Sequence, residues 1–298
     1  MINLMKRTTM STERYRFKVG TFECMAVSDG TFTYPNPAPF LFANAPKERL
    51  EQKLREHNLQ PEQWTEWISP YICLVINTGE HRVLVDTGAG GLGPKTGKLL
   101  QNLQAEGIAP RDIDTIIITH GHPDHIGGNT SSEGKPAFPN TRFVIWKDEW
   151  DFWTSEPNLA ELKADEHIKE LLVTFARNNL TPIQGQIDLV DHETEIVPGI
   201  RALTAPGHTP GHMALAISSG DEQLLLISDA AIHPIHVEQP DWYAAVDFAP
   251  EQAVTTRRRL LNRALPRRPW CSPFTSPSQA WATSSRGERD GSGSPLRR

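Results

Sequence analysis

Between Ile116 and Gly128 the chain reads IIITHGHPDHIGG. A continuous apolar run gives way within a few residues to His120, His122, Asp124 and His125. In an extended tail, His120 and His122 project to the same side, so their imidazoles can grip one cation. Asp124 and His125 follow past Pro123 and can face a second cation nearby. Gly127 and Gly128 let the chain turn tightly behind them. A lone histidine in such a place reads as a surface group. Three histidines and an aspartate at HxHxDH spacing read as metal ligands, suited to zinc and also to iron or manganese.

The rest of the chain supplies a β-rich frame. Strand patterns run from Tyr15 to Phe32, with Ser28-Asp29-Gly30 as a turn, and a Pro-rich loop follows to Phe42. A polar helix is predicted from Pro46 to His57, and YICLVINTG with HRVLVDTG reads as a hairpin. Helices are further predicted over 95–106, 159–178 and 250–265, the last carrying Arg257, Arg258 and Arg259. The strands RFVIW, IDLV, GIRALTA, MALAIS and LLLISDA complete the pattern. Strands with helices interleaved in two halves predict sheets covered by outer helices.

Composition narrows the function. The formal net charge of −6 argues against a nucleic-acid partner. Cys24, Cys73 and Cys271 are far apart and form no CxxC pair, which points to a reducing compartment. No apolar run is long enough to span a membrane, and the N-terminus has no signal-peptide core. These features predict a cytoplasmic protein with a small-molecule substrate, and a homodimer is compatible with them. Residues 1–14 read as a flexible lead, 15–264 as the folded domain and 265–298 as a separate tail.

With the HxHxDH cluster placed after a strand, the chain resembles the metallo-β-lactamase superfamily from about Tyr15 to Ala264. TAPGHTPGH then offers His208 as the third histidine of the first metal, and LLLISDAA offers Asp229 as the carboxylate shared by both. VLVDTG places Asp86 where the family keeps an acid that orients ligand histidines, and His212 reads as a supporting or structural histidine beside the ligands. The implied fold is a four-layer αββα sandwich. The implied chemistry is hydrolysis by water activated between two divalent cations, most simply zinc, with Asp124 steering the nucleophile and taking its proton. The stretch SDAAIHPIHVEQPDW is similar to the branch holding methyl parathion hydrolase and acyl-homoserine lactonases. That similarity implies a small ester, lactone or phosphotriester as substrate, with His233, His236, Trp242 and Tyr243 as candidate pocket residues. A hydrolytic dehalogenase and a glyoxalase II-like thioesterase are the alternatives within the family.

The tail departs from the family's pattern, which closes with a strand and one more histidine. Residues 265–298 hold seven Ser, five Pro and six Arg without any histidine, and carry a charge of +4. They read as disordered and as the product of a frameshift. Codons for FTSPSQAWA and the following Thr283, read from the last base of each, permit HFPFPGLGH. As written, the second cation keeps only Asp124, His125 and Asp229 unless it borrows His233 or His236. A catalytically impaired protein with one metal site is therefore the competing reading. One DNA read across codons 263–282 decides the tail: an unshifted frame there removes the frameshift.

Overall fold

The computed structural model describes residues 14–160, 162, 165–264 and 270–272. The expectations for the lead and for most of the tail lie outside these residues. Seven strands form the first sheet in chain order: β1 (Arg14–Val19), β2 (Phe22–Pro35), β3 (Glu66–Asn77), β4 (Arg82–Val85), β5 (Thr115–Ile118), β6 (Arg142–Trp146) and β7 (Ile187–Val190). Pairing is antiparallel from β1 to β4 and parallel from β4 to β7. The second sheet runs β12-β11-β10-β9-β8, built from β8 (Glu195–Val197), β9 (Ile200–Thr204), β10 (Met213–Ser219), β11 (Glu222–Leu226) and β12 (Trp270–Ser272). The helices are α1 (Pro37–Leu41), α2 (Lys47–Glu56), α3 (Leu99–Ala105), α4 (Pro123–Ile126), α5 (Lys147–Thr154), α6 (Glu166–Leu180), α7 (Pro234–Glu238) and α8 (Pro250–Ala264).

Alternation along the strands fixes the layers. In β3, Leu74 and Ile76 point at the second sheet and pack with Leu215, Ile217 and Leu226, while Cys73 and Val75 point outward. The outward set packs with Leu99 and Leu103 of α3, Trp153 of α5 and Leu180 of α6. On the far side Leu260 of α8 covers Leu203, Ala214 and Leu225 of the second sheet. The strands are apolar on both faces because both faces are covered, which explains their near-continuous hydrophobic runs. The order helix, sheet, sheet, helix is the αββα arrangement.

Three local expectations change. Ser28-Asp29-Gly30 is a β-bulge, and β2 runs on through it to Pro35. The Asp29 side chain is buried and accepts hydrogen bonds from the backbone N–H groups of Ala89 (2.8 Å), Gly97 (3.0 Å) and Leu99 (2.9 Å). Those long-range partners outcompete the local turn that the tripeptide favours. The loop after Tyr34 contains the short α1. In the tail, Trp270–Ser272 pair in parallel with Leu224–Leu226, so the edge of β11 is covered where no strand was expected.

Replacing Asp29 by Ala leaves three backbone donors without their acceptor in a dry site. The expected cost is about 2–4 kcal/mol of folding stability, read from urea denaturation at neutral pH.

Candidate metal centre

The end of β5, the loop before β10 and the turn after β11 meet at one edge of the sandwich. His120 follows β5, His122 stands at the residue before α4, and Asp124 and His125 lie in its single turn. His208 comes from the loop between β9 and β10. Asp229 sits in a short 3-10 turn, residues 228–231, just after β11. Nδ1 of His122 lies 3.1 Å from Nε2 of His120 and 2.9 Å from Nε2 of His208. Asp229 Oδ2 is 3.5 Å from His208 Nε2 and 3.9 Å from His120 Nε2, and its Oδ1 is 3.5 Å from His125 Nε2. Two sets of ligand atoms each fall within 4.8 Å, His120/His122/His208 and His120/His125/Asp229. Asp124 belongs to neither set; its Oδ2 lies 3.7 Å from His125 Nε2.

Hydrogen bonds assign the ring protons. His208 Nδ1–H donates to Asp247 Oδ1 at 2.7 Å, so Nε2 keeps its lone pair for the centre. His125 Nδ1–H donates to Asp86 Oδ2 at 2.7 Å, which likewise turns the Nε2 lone pair toward Asp229. Asp86 also accepts from the N–H (2.7 Å) and hydroxyl (2.8 Å) of Thr119, the residue before His120. Asp86 and Ser228 both adopt left-handed backbone angles, φ 59° and 43°, so two elements that carry the site are held in costly conformations. Imidazole nitrogens and a carboxylate converge on one small volume, where a bound cation would take the place of the protons that His125 and His208 otherwise hold against Asp229. This donor set fits a divalent ion of borderline softness.

Burial and charge act together here. Burial and the neighbouring imidazoles hold His120 and His122 far below the usual histidine range. Burial would do the same to His125, but the carboxylates of Asp86, Asp124 and Asp229 outweigh it and push it up. His208 is also raised, since the bond to Asp247 and the charge of Asp229 overcome its burial. Asp229 stays ionised against the cost of burial because His125 and His208 face it. Burial raises Asp124, with the charge of Asp229 adding to it against the opposing pull of His125.

One carboxylate clamps two ligand loops together. Glu149 of α5 is completely buried and takes four hydrogen bonds. Its Oε1 accepts from Gly121 N–H and Trp153 Nε1–H, both at 2.7 Å. Its Oε2 accepts from Thr209 hydroxyl at 2.7 Å and Gly211 N–H at 2.9 Å. Gly121 and Gly211 have to be glycine: a Cβ would sit 2.3 Å from the Trp153 ring and 2.1 Å from the Glu149 nitrogen. The loop of His120 and His122 is thereby tied to the loop of His208.

Other candidates take different places. The His212 ring is buried 5.0 Å from that of His120 and 5.8 Å from that of His208, with no hydrogen-bond partner on either nitrogen among the described residues. It packs against the ligands instead of orienting them through a hydrogen bond. His236 donates through Nε2 to the Leu41 carbonyl at 2.8 Å, while His233 Nδ1 accepts from Ile235 N–H at 3.2 Å to cap α7. His236 Nδ1 also accepts from His233 N–H at 3.3 Å, so both nitrogens of His236 are taken, and His233 is committed through Nδ1. Trp242 is buried against Phe42 in the cluster beside α2, so it is core and not pocket wall. Tyr243 stays partly exposed, its backbone N–H bound to Asn44. Sequence reasoning missed Asp29, Glu149, Asp247 and Arg257.

Comparison with known proteins agrees with this geometry. Residues 70–275 match the metallo-beta-lactamase superfamily. The chain belongs to that superfamily. An N-acyl homoserine lactonase of Bacillus thuringiensis is 30% identical over 212 residues, covering 64% of this chain and 75% of that protein. One from Bacillus cereus is 28% identical over 221 residues, covering 67% of this chain and 78% of the relative. Among solved structures, the dizinc quorum-quenching lactonase AidC, in complex with a product, superposes with a TM-score of 0.82 at 27% identity, covering 90% of this chain and 92% of that one. The hydrolase AbOPH of the beta-lactamase superfamily gives 0.79 at 25% identity, covering 90% and 93%. This superfamily member is thus surrounded by hydrolases of its own fold.

Two outcomes follow from the site's packing. Glu149→Gln turns an amide N–H₂ toward groups that are themselves donors, and is expected to cost about 2–4 kcal/mol in denaturant unfolding. Burial, with His57 adding to it, pushes His233 from 6.5 down to about 3, so the unfolded chain binds that proton more readily. Its contribution to stability is complete above about pH 6.5 and is lost as pH falls toward 3, at up to about 1.4 kcal/mol per pH unit. His233→Asn keeps an acceptor for the helix cap and should flatten the acid limb of stability against pH by that amount.

Proposed function

We propose that this chain is a metal-dependent hydrolase that opens lactones and cleaves small apolar esters. The observation that carries the reading is the convergence of His120, His122 and His208, with Asp229 3.5 Å from His208 and 3.9 Å from His120. The lactonases among its relatives direct it to the lactone. Relatives in this superfamily are typically dependent on two metals, and zinc suits the nitrogen-rich set. When bound, such cations would polarise the carbonyl under attack and make water a nucleophile at neutral pH.

The protein's own residues supply the rest. Asp86 and Asp247 fix which nitrogen of His125 and His208 faces the centre. Asp124, raised by burial and close to His125, is suited to take the proton released by the attacking water at a carboxylate oxygen. Phe248 packs 5.8 Å from the His122 ring and remains partly exposed, offering an apolar surface beside the ligands. A second aromatic wall rises from β2 and β3: Tyr34 stacks on Phe40 at 4.9 Å and Trp67 at 5.6 Å, and its hydroxyl meets that of Tyr71 at 2.7 Å. Burial and the nearby Asp124 push the Tyr71 phenol far up, so it remains a proton-bearing donor. These aromatic side chains are the surfaces on which an acyl or aryl limb of the substrate would rest.

A specific observation favours asymmetric loading. One cation would have His120, His122, His208 and Asp229, whereas the other would have Asp124, His125 and Asp229. The eleven histidines of the chain end at His236, which is engaged elsewhere. The expected result is one tightly held zinc per chain and a second that needs excess metal.

The test is turnover of an N-acyl homoserine lactone, an aryl ester and a phosphotriester by the zinc-loaded protein, with bound metal counted alongside. Lactone should be the best substrate, chelation should abolish turnover, and Asp124→Asn should lower kcat by about 10²-fold or more. Full metal occupancy without turnover of any of the three would sink the hydrolase reading and leave a binding protein.

A further inference from the structure

We propose that Arg257 is a positioning residue, one guanidinium that locks His208 and Asp229 into register and thereby sets the affinity of the centre for its cation. The inference rests on the metal reading above. It concerns the two candidate ligands supplied by the C-terminal half, His208 and Asp229, which come from different loops.

Three consecutive arginines lie on α8. Arg258 and Arg259 are exposed and pair with Asp241 and Glu193. Arg257 turns inward, 1% exposed, and is the buried Lys or Arg among the described residues. A buried guanidinium is costly unless its fork of donors is satisfied. Here it is satisfied by the backbone that carries the site. Nε–H donates to the carbonyl of Ala230, the residue after Asp229. Nη1 donates to the carbonyls of Pro240, at 3.1 Å, and Trp242. Nη2 lies 3.8 Å from Asp247 Oδ2. Asp247 in turn accepts from His208 Nδ1–H through Oδ1, and from Ala244 N–H at 3.0 Å through Oδ2.

The chain of contacts therefore runs from the turn bearing Asp229, through one rigid planar cation, to the carboxylate that orients His208. Distances at the centre depend on it, since His208 Nε2 and Asp229 Oδ2 stand 3.5 Å apart. A role confined to holding α8 on the sheet is already served by Leu260, which is buried against the second sheet three residues later. The carbonyl contacts also call for a fork: an ammonium on a flexible stem reaches fewer of them at once.

The experiment compares the metal-free forms of the full chain, Arg257→Gln, Arg257→Lys and Leu260→Ala. Each is titrated with Co²⁺ and Zn²⁺ against a chromophoric chelator, with the visible absorption of bound Co²⁺ recorded and thermal unfolding measured in parallel. Arg257→Gln should bind its first metal roughly 10- to 100-fold more weakly, the range found when groups that orient metal ligands are removed, and its Co²⁺ spectrum should change in intensity. Arg257→Lys should recover part of the affinity. Leu260→Ala should lower the unfolding temperature while keeping affinity and spectrum. Unchanged affinity and spectrum in both arginine variants overturn the proposal, as does a loss in Leu260→Ala equal to that in Arg257→Gln. If Arg257→Gln does not fold, Arg257→Lys decides by the same criteria. A parent chain that binds neither ion defeats the metal reading itself, a result distinct from either of these.

Discussion

A neutral imidazole has one nitrogen lone pair to offer, and the group bonded to its other nitrogen decides where that lone pair points. The site depends on this constraint. Asp86 and Asp247 make the choice for His125 and His208, and Glu149 holds the loops so that the choices converge. All three carboxylates are buried, where a hydrogen bond to a charged group is stronger and an unmet one is costly. Orientation is therefore built into the fold's polar interior, and the layers outside it serve to keep that interior dry.

The candidate ligands were legible in the sequence where they are local. HxHxDH packs its information into a few residues, and His208, Asp229 and Asp86 were found through family likeness at the ends of recognisable strands. The groups that orient them were not legible. Glu149 stands in KDEWDFW, where an acid in the first turn of a helix needs no partner beyond the helix dipole. Its one signal is that Trp153 follows four residues later, putting an acid on the apolar face. Asp247 is isolated in AVDFAP, and Arg257 is the first of three arginines that together resemble a solvated face. Their partners lie 39 and 27 residues away in the chain, a distance at which spacing carries no information.

The same reasoning explains the misread bulge. Ser-Asp-Gly is a strong local turn signal, yet Asp29 satisfies three backbone donors of the loop behind Asp86, and the strand continues. Where a polar side chain can meet distant backbone groups that would otherwise be buried without partners, tertiary satisfaction prevails over propensity. Asp29, Glu149, Asp247 and Arg257 are one class of residue in this sense. Each replaces water around a loop that the site needs in a fixed shape.

Asp229 shows how far such a scaffold reaches. Its oxygens face His120, His208 and His125 at 3.5–3.9 Å, so it stands between histidines of both candidate sets, which themselves share His120. The turn that carries it is fixed from behind by α8 and from the side by Ser228, whose hydroxyl lies 3.1 Å from that of Thr119. A closing histidine would add one more ligand to the His125 side, but it would not create the convergence. The first set, His120, His122 and His208, is held by Thr119 and Asp86 behind His120 and by Asp247 behind His208, none of them in the tail. The frame around the three histidines therefore does not depend on how many groups gather beside His125.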